Sequence, residues 1–403
     1  MSTTAFLQDE QLLERFQALD PFICRHQHLW RPRPFMHLRM PWEDQYPDLS
    51  NWLRQRSLKD AEAAEAHLEA LPAPLFELAA RSRQLSEIGV LPDVGLHPAG
   101  HRLDVHVPGR KWQQIEAFTQ RLAFADQPRH WLDWCSGKGH LGRRLLQPGQ
   151  RLTCLEYDAE LVAAGQSLSD HHHLPALHVH QDVLAPDSVH YLDIDKSVVA
   201  LHACGDLHVR LLQLASRQGC RQVALAPCCY NRTQAEVYRP LSSAAADSSL
   251  ELTLSDLGLP MSEAVTSSAR VRRQRDRSMA RRLGFDLLQR EQRRSDDYLP
   301  TPSLPVSWLE KPFGQYCRDL AELKGFTVED EPDWSELEAA GWQRLAQVRN
   351  LERVRNLFRR PLEVWLVLDR ALFLREQNYR VRLGEFCERP LTPRNLMILA
   401  ERD

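Results

Sequence analysis

Chemistry-bearing residues concentrate in a few short stretches of this 403-residue chain, and the first is a glycine turn. Asp133, Cys135, Gly137, Lys138 and Gly139 follow one another at an apolar strand end, and Gly142 completes a G-x-G-x-x-G spacing. Such glycines allow a sharp turn, close approach of a ligand to the backbone, and tight packing of the next helix on its strand. The first N–H groups of that helix then face the ligand. Nicotinamide, flavin and S-adenosylmethionine sites all use turns of this kind. Asp133 separates them. A carboxylate beside the turn repels a pyrophosphate, whereas the sulfonium and ammonium of S-adenosylmethionine are attracted to it. A nicotinamide oxidoreductase is the alternative that Asp133 disfavours.

Further polar residues sit at later strand ends. Glu156 and Tyr157 end the run that begins at Arg151, and Glu156 lies 17 residues past Gly139. That spacing suits an acid accepting from ribose hydroxyls. The apolar run from Ser197 ends in His202, Cys204, Gly205 and Asp206, and the run from Gln222 ends in Pro227, Cys228, Cys229 and Tyr230. Ligands of an open parallel sheet lie outside the carboxyl ends of its strands. The two runs are expected side by side, with their exits as opposite walls of one pocket. His202 and Asp206 are candidate bases there. Cys228 or Cys229 would act instead if the reaction needed a thiolate nucleophile, as in pyrimidine C5 methylation, and Tyr230 would line the pocket. His171, His172 and His173 read as a solvated turn, because consecutive side chains diverge, and no metal ligands are assigned.

These stretches need elements to hold them. Strands at His130–Trp134, Arg151–Asp158, His178–His180, Ser197–Ala203 and Gln222–Ala226 alternate with helices, the pattern of a parallel sheet covered on both faces. Before them, His106 to Gly109 forms a turn into a helix reaching about Ala125. Its Arg110 and Lys111 are positioned to meet a cofactor carboxylate or a substrate phosphate. Residues 1–104 read as a helical region, with apolar periodicity over Gln11–Leu19, Ala61–Leu71 and Pro74–Ile88 and proline-broken segments around Trp30–Phe35 and Met40–Glu43. Residues 105–230 form the cofactor core, 231–360 an insertion, and 361–403 a closing helix and two last strands. In the insertion, arginine dominates from Arg270 to Arg294. A charge run is ordinarily a solvated face. This one is nearly all arginine, which suits bidentate phosphate contact, so Arg272, Arg273 and Arg275 are candidate substrate contacts.

The totals narrow the function. The chain is 43% hydrophobic and 26% charged with a net charge of −3, so a nucleic-acid surface must be local. Its nine cysteines are scattered without a C-x-x-C pair. With no signal-like N-terminus or long apolar segment, this predicts a reduced, cytoplasmic protein with no membrane partner.

Asp133-x-Cys135-x-Gly137-x-Gly139 resembles the D-x-G-x-G-x-G signature of class I methyltransferases, with Cys135 in place of the first glycine. Together with Leu201–Leu207, Pro227–Tyr230 and the ending Leu391–Leu396, it resembles the methyltransferase-like proteins labelled as containing a ribosomal RNA adenine dimethylase domain. More distantly it resembles the acceptor-stem tRNA ribose methyltransferase, although Tyr230 and Asn231 stand where that enzyme has two histidines. The resemblance covers about 105–230 and 361–403. It implies a seven-stranded, Rossmann-like α/β methyltransferase domain, here with a helical N-terminal region and a helical basic insertion after strand five, both flanking the strand ends. It also implies S-adenosylmethionine as cofactor, with Asp182 and Val183 at the adenine; His202, Cys204 and Asp206, at the carboxyl end of the fourth strand, then fall where the transferred methyl should lie. The expected function is methyl transfer to rRNA or tRNA. A protein or small-molecule acceptor, and a non-catalytic cofactor-binding partner, are the alternatives.

Overall fold

The computed structural model describes residues 6–63, 72–98, 102–105, 107–262, 269–329 and 331–403. His106 and residues 64–71, the latter part of the helix expected at Ala61–Leu71, lie outside the described residues. The chain forms two compact units: residues 1–24, 84–265 and 359–403 in the first, and 25–83 and 266–358 in the second.

The first unit is built on eight strands: β1 Leu7–Gln8, β2 His130–Trp134, β3 Arg151–Glu156, β4 Ala176–His180, β5 Lys196–Cys204, β6 Gln222–Cys228, β7 Arg380–Glu385 and β8 Leu396–Glu401. Their order across the sheet is β1-β7-β8-β6-β5-β2-β3-β4. β2 pairs in parallel with both β3 and β5, and β5 in parallel with β6. β8 runs antiparallel between β6 and β7. This is the doubly wound, Rossmann-like order that the sequence predicts, with one addition: Leu7 and Gln8 extend the edge as an antiparallel partner of β7. Two residues carry too little periodicity to register as a strand. Every residue of β6 is buried, as expected of an interior strand covered on both faces. The chain reverses direction beside β2, so the glycine turn lies at the topological switch point.

Helix Arg359–Glu376 is buried over most of its circumference rather than on one stripe. Its Asp369 is fully buried and accepts from the Leu241 and Ser242 N–H groups and the Ser242 hydroxyl, with Oδ1···Ser242 N at 2.7 Å. That network fastens residues 238–242 to the first unit, so the insertion does not begin at 231 as composition suggests. The Leu391–Leu396 ending also has a structural role. Asn395 is fully buried, donates to the Cys387 carbonyl at 2.7 Å and accepts from Arg360 at 2.9 Å.

The second unit combines residues that the sequence assigns to separate regions. Helices Ala269–Arg293 and Trp334–Asn356 cross closely: a Cβ on Gly341 would lie 2.5 Å from the Ala280 carbonyl oxygen. Arg344 donates to the Pro34 carbonyl at 3.0 Å, and Asn350 to those of Arg56 and Ser57. Residues 25–83 thus supply carbonyls, from Pro34 to Ser57, that buried side chains of 266–358 satisfy. Trp30, Met40 and Trp42 are buried in the same unit.

Candidate active site

The turn after β2 takes left-handed backbone angles at Cys135 (φ 58°), Gly137 (φ 58°) and Gly139 (φ 70°). Cys135 therefore adopts a glycine-like conformation at the position where the signature has its first glycine. The Gly137 N–H donates to Glu156 Oε2 at 2.8 Å, and Glu156 Oε1 accepts from the Tyr157 and Asp158 N–H groups. Asp158 caps the next helix by accepting from Glu160 and Leu161. Buried Arg143, which sequence reasoning passes over, donates to the Lys138 carbonyl at 2.6 Å and to that of Gly165. The two glycines differ. A Cβ on Gly139 would lie 2.5 Å from the His178 ring, whereas one on Gly137 would meet nothing within 4 Å. Gly139 is required for packing, and Gly137 faces open space.

Asp133 does not have the role that the sequence suggests. Its carboxylate is buried and accepts from the Gly142 N–H at 2.9 Å. Burial pushes the carboxyl up to about 7, against the opposing pull of the Gly142 N–H, Arg143 and Lys111. It fastens the start of the helix to β2, and its charge is poorly placed to select a cofactor. The acids that do face outward are Glu156, half-buried, and Asp182, exposed. Tyr157 is 71% exposed with its ring 6.2 Å from that of His180. Val183 is buried behind Asp182. Open space at Gly137, an acid at the β3 end and exposed Tyr157 and Asp182 fit an adenosyl cofactor. Gly137, Lys138, Glu156, Tyr157 and Asp182 would hold it, and it would supply an activated methyl group beside the β5 exit.

The β5 and β6 exits are joined directly. The Gly205 N–H donates to the Cys228 carbonyl (3.1 Å), Asp206 N–H to Arg232 (3.0 Å) and Arg232 N–H to Cys229 (2.8 Å). The Asp206 carboxylate accepts from the Gln234 N–H at 2.8 Å. The exits thus form one continuous wall rather than two facing ones. Tyr230 is turned inward: it is 2% exposed, its hydroxyl donates to Pro227 at 3.4 Å, and Arg370 stacks on its ring. It cannot line a pocket as expected, because its ring fills the core beside His208. Cys228 is buried, whereas Cys204 and Cys229 are half-buried. Hydrogen bonding from Cys228 pushes the Cys229 thiol down, with Arg232 and Arg394 adding to the effect against its partial burial. The same thiol contacts, with Cys204 and Cys229, push Cys228 up.

His202 sits at a bulge in β5 with φ 68°. Its Nε2 is 2.7 Å from Gln114 Oε1, and the Gln114 amide nitrogen donates to the Leu391 carbonyl. That second bond fixes the amide orientation, so His202 Nε2 carries the proton and Nδ1 holds the lone pair. Burial, then Lys111 and Arg394, pushes His202 down to about 4, so the ring is neutral at pH 7. Nothing in the sequence marks Gln114, because the pairing spans 88 residues. Arg110, on the same helix, donates to the Leu391 and Pro390 carbonyls. It fastens the closing loop and is not available to a substrate phosphate. Lys111 remains exposed.

In the second unit the arginine run divides. Arg281 and Arg290 are buried, pairing with Glu338 and Asp286. Arg270, Arg272, Arg273 and Arg275 are exposed. The run therefore does not present arginine along its whole length: its start, and Arg293 and Arg294 at its end, face solvent, while Arg281 and Arg290 turn inward.

Residues 110–236 match the family model described as a methyltransferase domain. That span is a methyltransferase domain. No curated protein matches the chain. Among solved structures, one described as "Conversion of a Disulfide Bond into a Thioacetal Group during Echinomycin Biosynthesis" is similar at 17% identity and a TM-score of 0.23, covering 32% of this chain and 54% of its own. This chain thus spans about half the length of that structure. A putative class I S-adenosylmethionine-dependent methyltransferase from Listeria monocytogenes is 13% identical with a TM-score of 0.24, covering 53% and 72% of the two chains. Coclaurine N-methyltransferase bound to N-methylheliamine and SAH is 12% identical with a TM-score of 0.26, covering 86% and 90%. At such scores the strand order, not these likenesses, carries the fold assignment.

The methyltransferase domain should weaken in acid. Burial pushes His140, His178 and His202 each down to about 4, with Arg143 adding to the effect at the first two. Between about 6.5, the unfolded value, and 4, the unfolded chain binds more protons, so stability falls as pH falls. Asp133 acts oppositely: its raised carboxyl takes up a proton in the folded state first, which offsets part of the loss. Three histidines outweigh one carboxyl. Thermal melts should therefore show a lower Tm at pH 5 than at pH 7, and a flat or rising Tm would contradict these burial assignments.

Proposed function

We propose that this chain transfers the methyl group of S-adenosylmethionine to RNA, ribosomal or transfer, in a reducing, cytoplasmic compartment. The exposed arginines Arg270, Arg272, Arg273 and Arg275, with no acid before Asp276, are the observation that carries the choice of RNA. Arginine forks suit phosphate oxygens, and such contacts provide sequence-independent affinity. Arg275 also lines a cleft of about 290 Å³ with Gln274, Leu304 and Tyr316. The nine reduced thiols support the compartment. No helix among the described residues is long and apolar enough to cross a membrane.

S-adenosylmethionine supplies a methyl group activated by its sulfonium, and alignment contributes most of the rate of such a displacement. The protein's own part is positioning and proton handling. Gly137 leaves space for the ligand, and Glu156 ties the turn to β3. Neutral His202, held by Gln114, presents Nδ1 to the acceptor's proton. Asp206 is held by the Gln234 N–H and supports the loop.

Purified protein with labelled S-adenosylmethionine should label the RNA of a cell extract. Replacing Arg272, Arg273 and Arg275 with glutamine should weaken RNA binding. It should also flatten the log–log salt slope by about 2, at roughly 0.7 per lost single-strand phosphate contact. Cofactor affinity should be unchanged. Label in protein or small molecules alone, or an unchanged slope, would overturn the choice of RNA.

A further inference from the structure

The β5 and β6 exits bring Cys204 together with the adjacent pair Cys228 and Cys229, which begins 24 positions later in the sequence. The Sγ atoms of Cys204, Cys228 and Cys229 all lie within 4.8 Å of one another, and Cys204 and Cys228 are 3.6 Å apart. Two departures from regular strand geometry produce this. Consecutive strand residues point to opposite faces, so Cys228 and Cys229 would ordinarily diverge. The left-handed backbone at Cys229 (φ 47°) turns its thiol back toward Cys228. On β5, the irregularity between Leu201 and Cys204, with His202 at φ 68°, sets Cys204 directly opposite Cys228 in the register. Left-handed non-glycine residues cost on the order of 1–3 kcal/mol each and gather at functional sites. Two of them converge here on one result, a cluster of sulfur ligands.

From this geometry we infer that Cys204, Cys228 and Cys229 bind a zinc ion with three thiolate ligands and an open fourth position. Tetrahedral zinc with Zn–S bonds of about 2.3 Å holds its sulfurs roughly 3.8 Å apart, which the cluster meets with small adjustments. Thiolates favour soft and borderline ions over magnesium or calcium. Each thiol gives up its proton to solvent as the metal binds. Present contacts do not oppose this: Cys204 donates weakly to the His202 carbonyl at 3.6 Å and Cys228 to that of Ala203 at 3.8 Å. Among the described residues, no other group of histidine, cysteine or carboxylate side chains converges in this way. Three protein ligands with two half-buried thiols match zinc sites that keep a place for an exogenous ligand. The site does not depend on RNA being the acceptor.

The test uses the full chain, purified under reducing conditions from zinc-supplemented medium. Elemental analysis should find about one zinc per chain, removable by a strong chelator. Cobalt(II) in its place should give the near-ultraviolet thiolate-to-metal absorption of a sulfur-rich site. Cys204→Ser and Cys229→Ser should each retain less than about a tenth of the metal, while Cys24→Ser, a thiol outside the cluster, keeps it. Cys228 is fully packed, so its serine variant risks misfolding, and the wild-type cobalt spectrum stands in for it. The inference is overturned by a folded wild type that takes up no zinc, by a cobalt spectrum without the thiolate band, or by a metal-free Cys204–Cys228 disulfide in non-reducing peptide mass spectrometry.

Discussion

Gly205→Ala should destabilise the methyltransferase domain more than any other single-methyl addition at the site. An alanine Cβ there would lie 1.7 Å from the Arg232 carbonyl oxygen, well inside contact distance. The backbone is at φ 52° and ψ −121°, a region that side chains avoid. Relief would require the 232–234 loop to move away, breaking the Asp206 N–H bond to Arg232 and the Gln234 bond to the Asp206 carboxylate. Strain and overpacking together should cost about 3–5 kcal/mol. Urea unfolding measures this, with Gly109→Ala as control, since a Cβ there meets nothing and the backbone is not left-handed. Equal midpoints for the two variants would show that the exits are not joined as described.

Gly137→Val should abolish cofactor binding at a smaller cost in stability. The position is left-handed but faces open space, so the added side chain meets solvent and ligand rather than protein. The strain should be about 1–3 kcal/mol, and affinity for S-adenosylhomocysteine should fall more than about tenfold. Gly149→Val separates the two effects. It has φ 84° and equally open surroundings, in the turn before β3. It should lose similar stability and bind the cofactor normally. Equal affinity loss in both variants would reduce the Gly137 effect to backbone strain.

The sequence makes the frame of this site legible but leaves its interior connections hidden. Glycine spacing at 137, 139 and 142 and the apolar runs before His202 and Cys228 locate the strand ends, because strand period and turn chemistry are local properties. Side-chain partners are not local. Asp133 reads as a ligand-facing acid until the Gly142 N–H is found above it. Arg110 reads as a free cation until the Leu391 and Pro390 carbonyls receive it. Tyr230 has a polar hydroxyl at a strand exit, yet its ring is packed against His208 and Arg370. Gln114 gives no sign at all of its contact with His202. The arginine run shows the same limit on a larger scale: composition cannot distinguish Arg275, which is exposed, from Arg281, which pairs with Glu338 inside the second unit.

Calorimetric titration of the wild-type chain with S-adenosylmethionine, S-adenosylhomocysteine and NAD tests the central assignment most directly. The glycine turn and the methyltransferase-domain match together predict one binding site per chain for the first two, lost in Gly137→Val, and no heat with NAD. Binding of NAD in preference to S-adenosylhomocysteine, or no binding of either sulfur compound by folded protein, would contradict it.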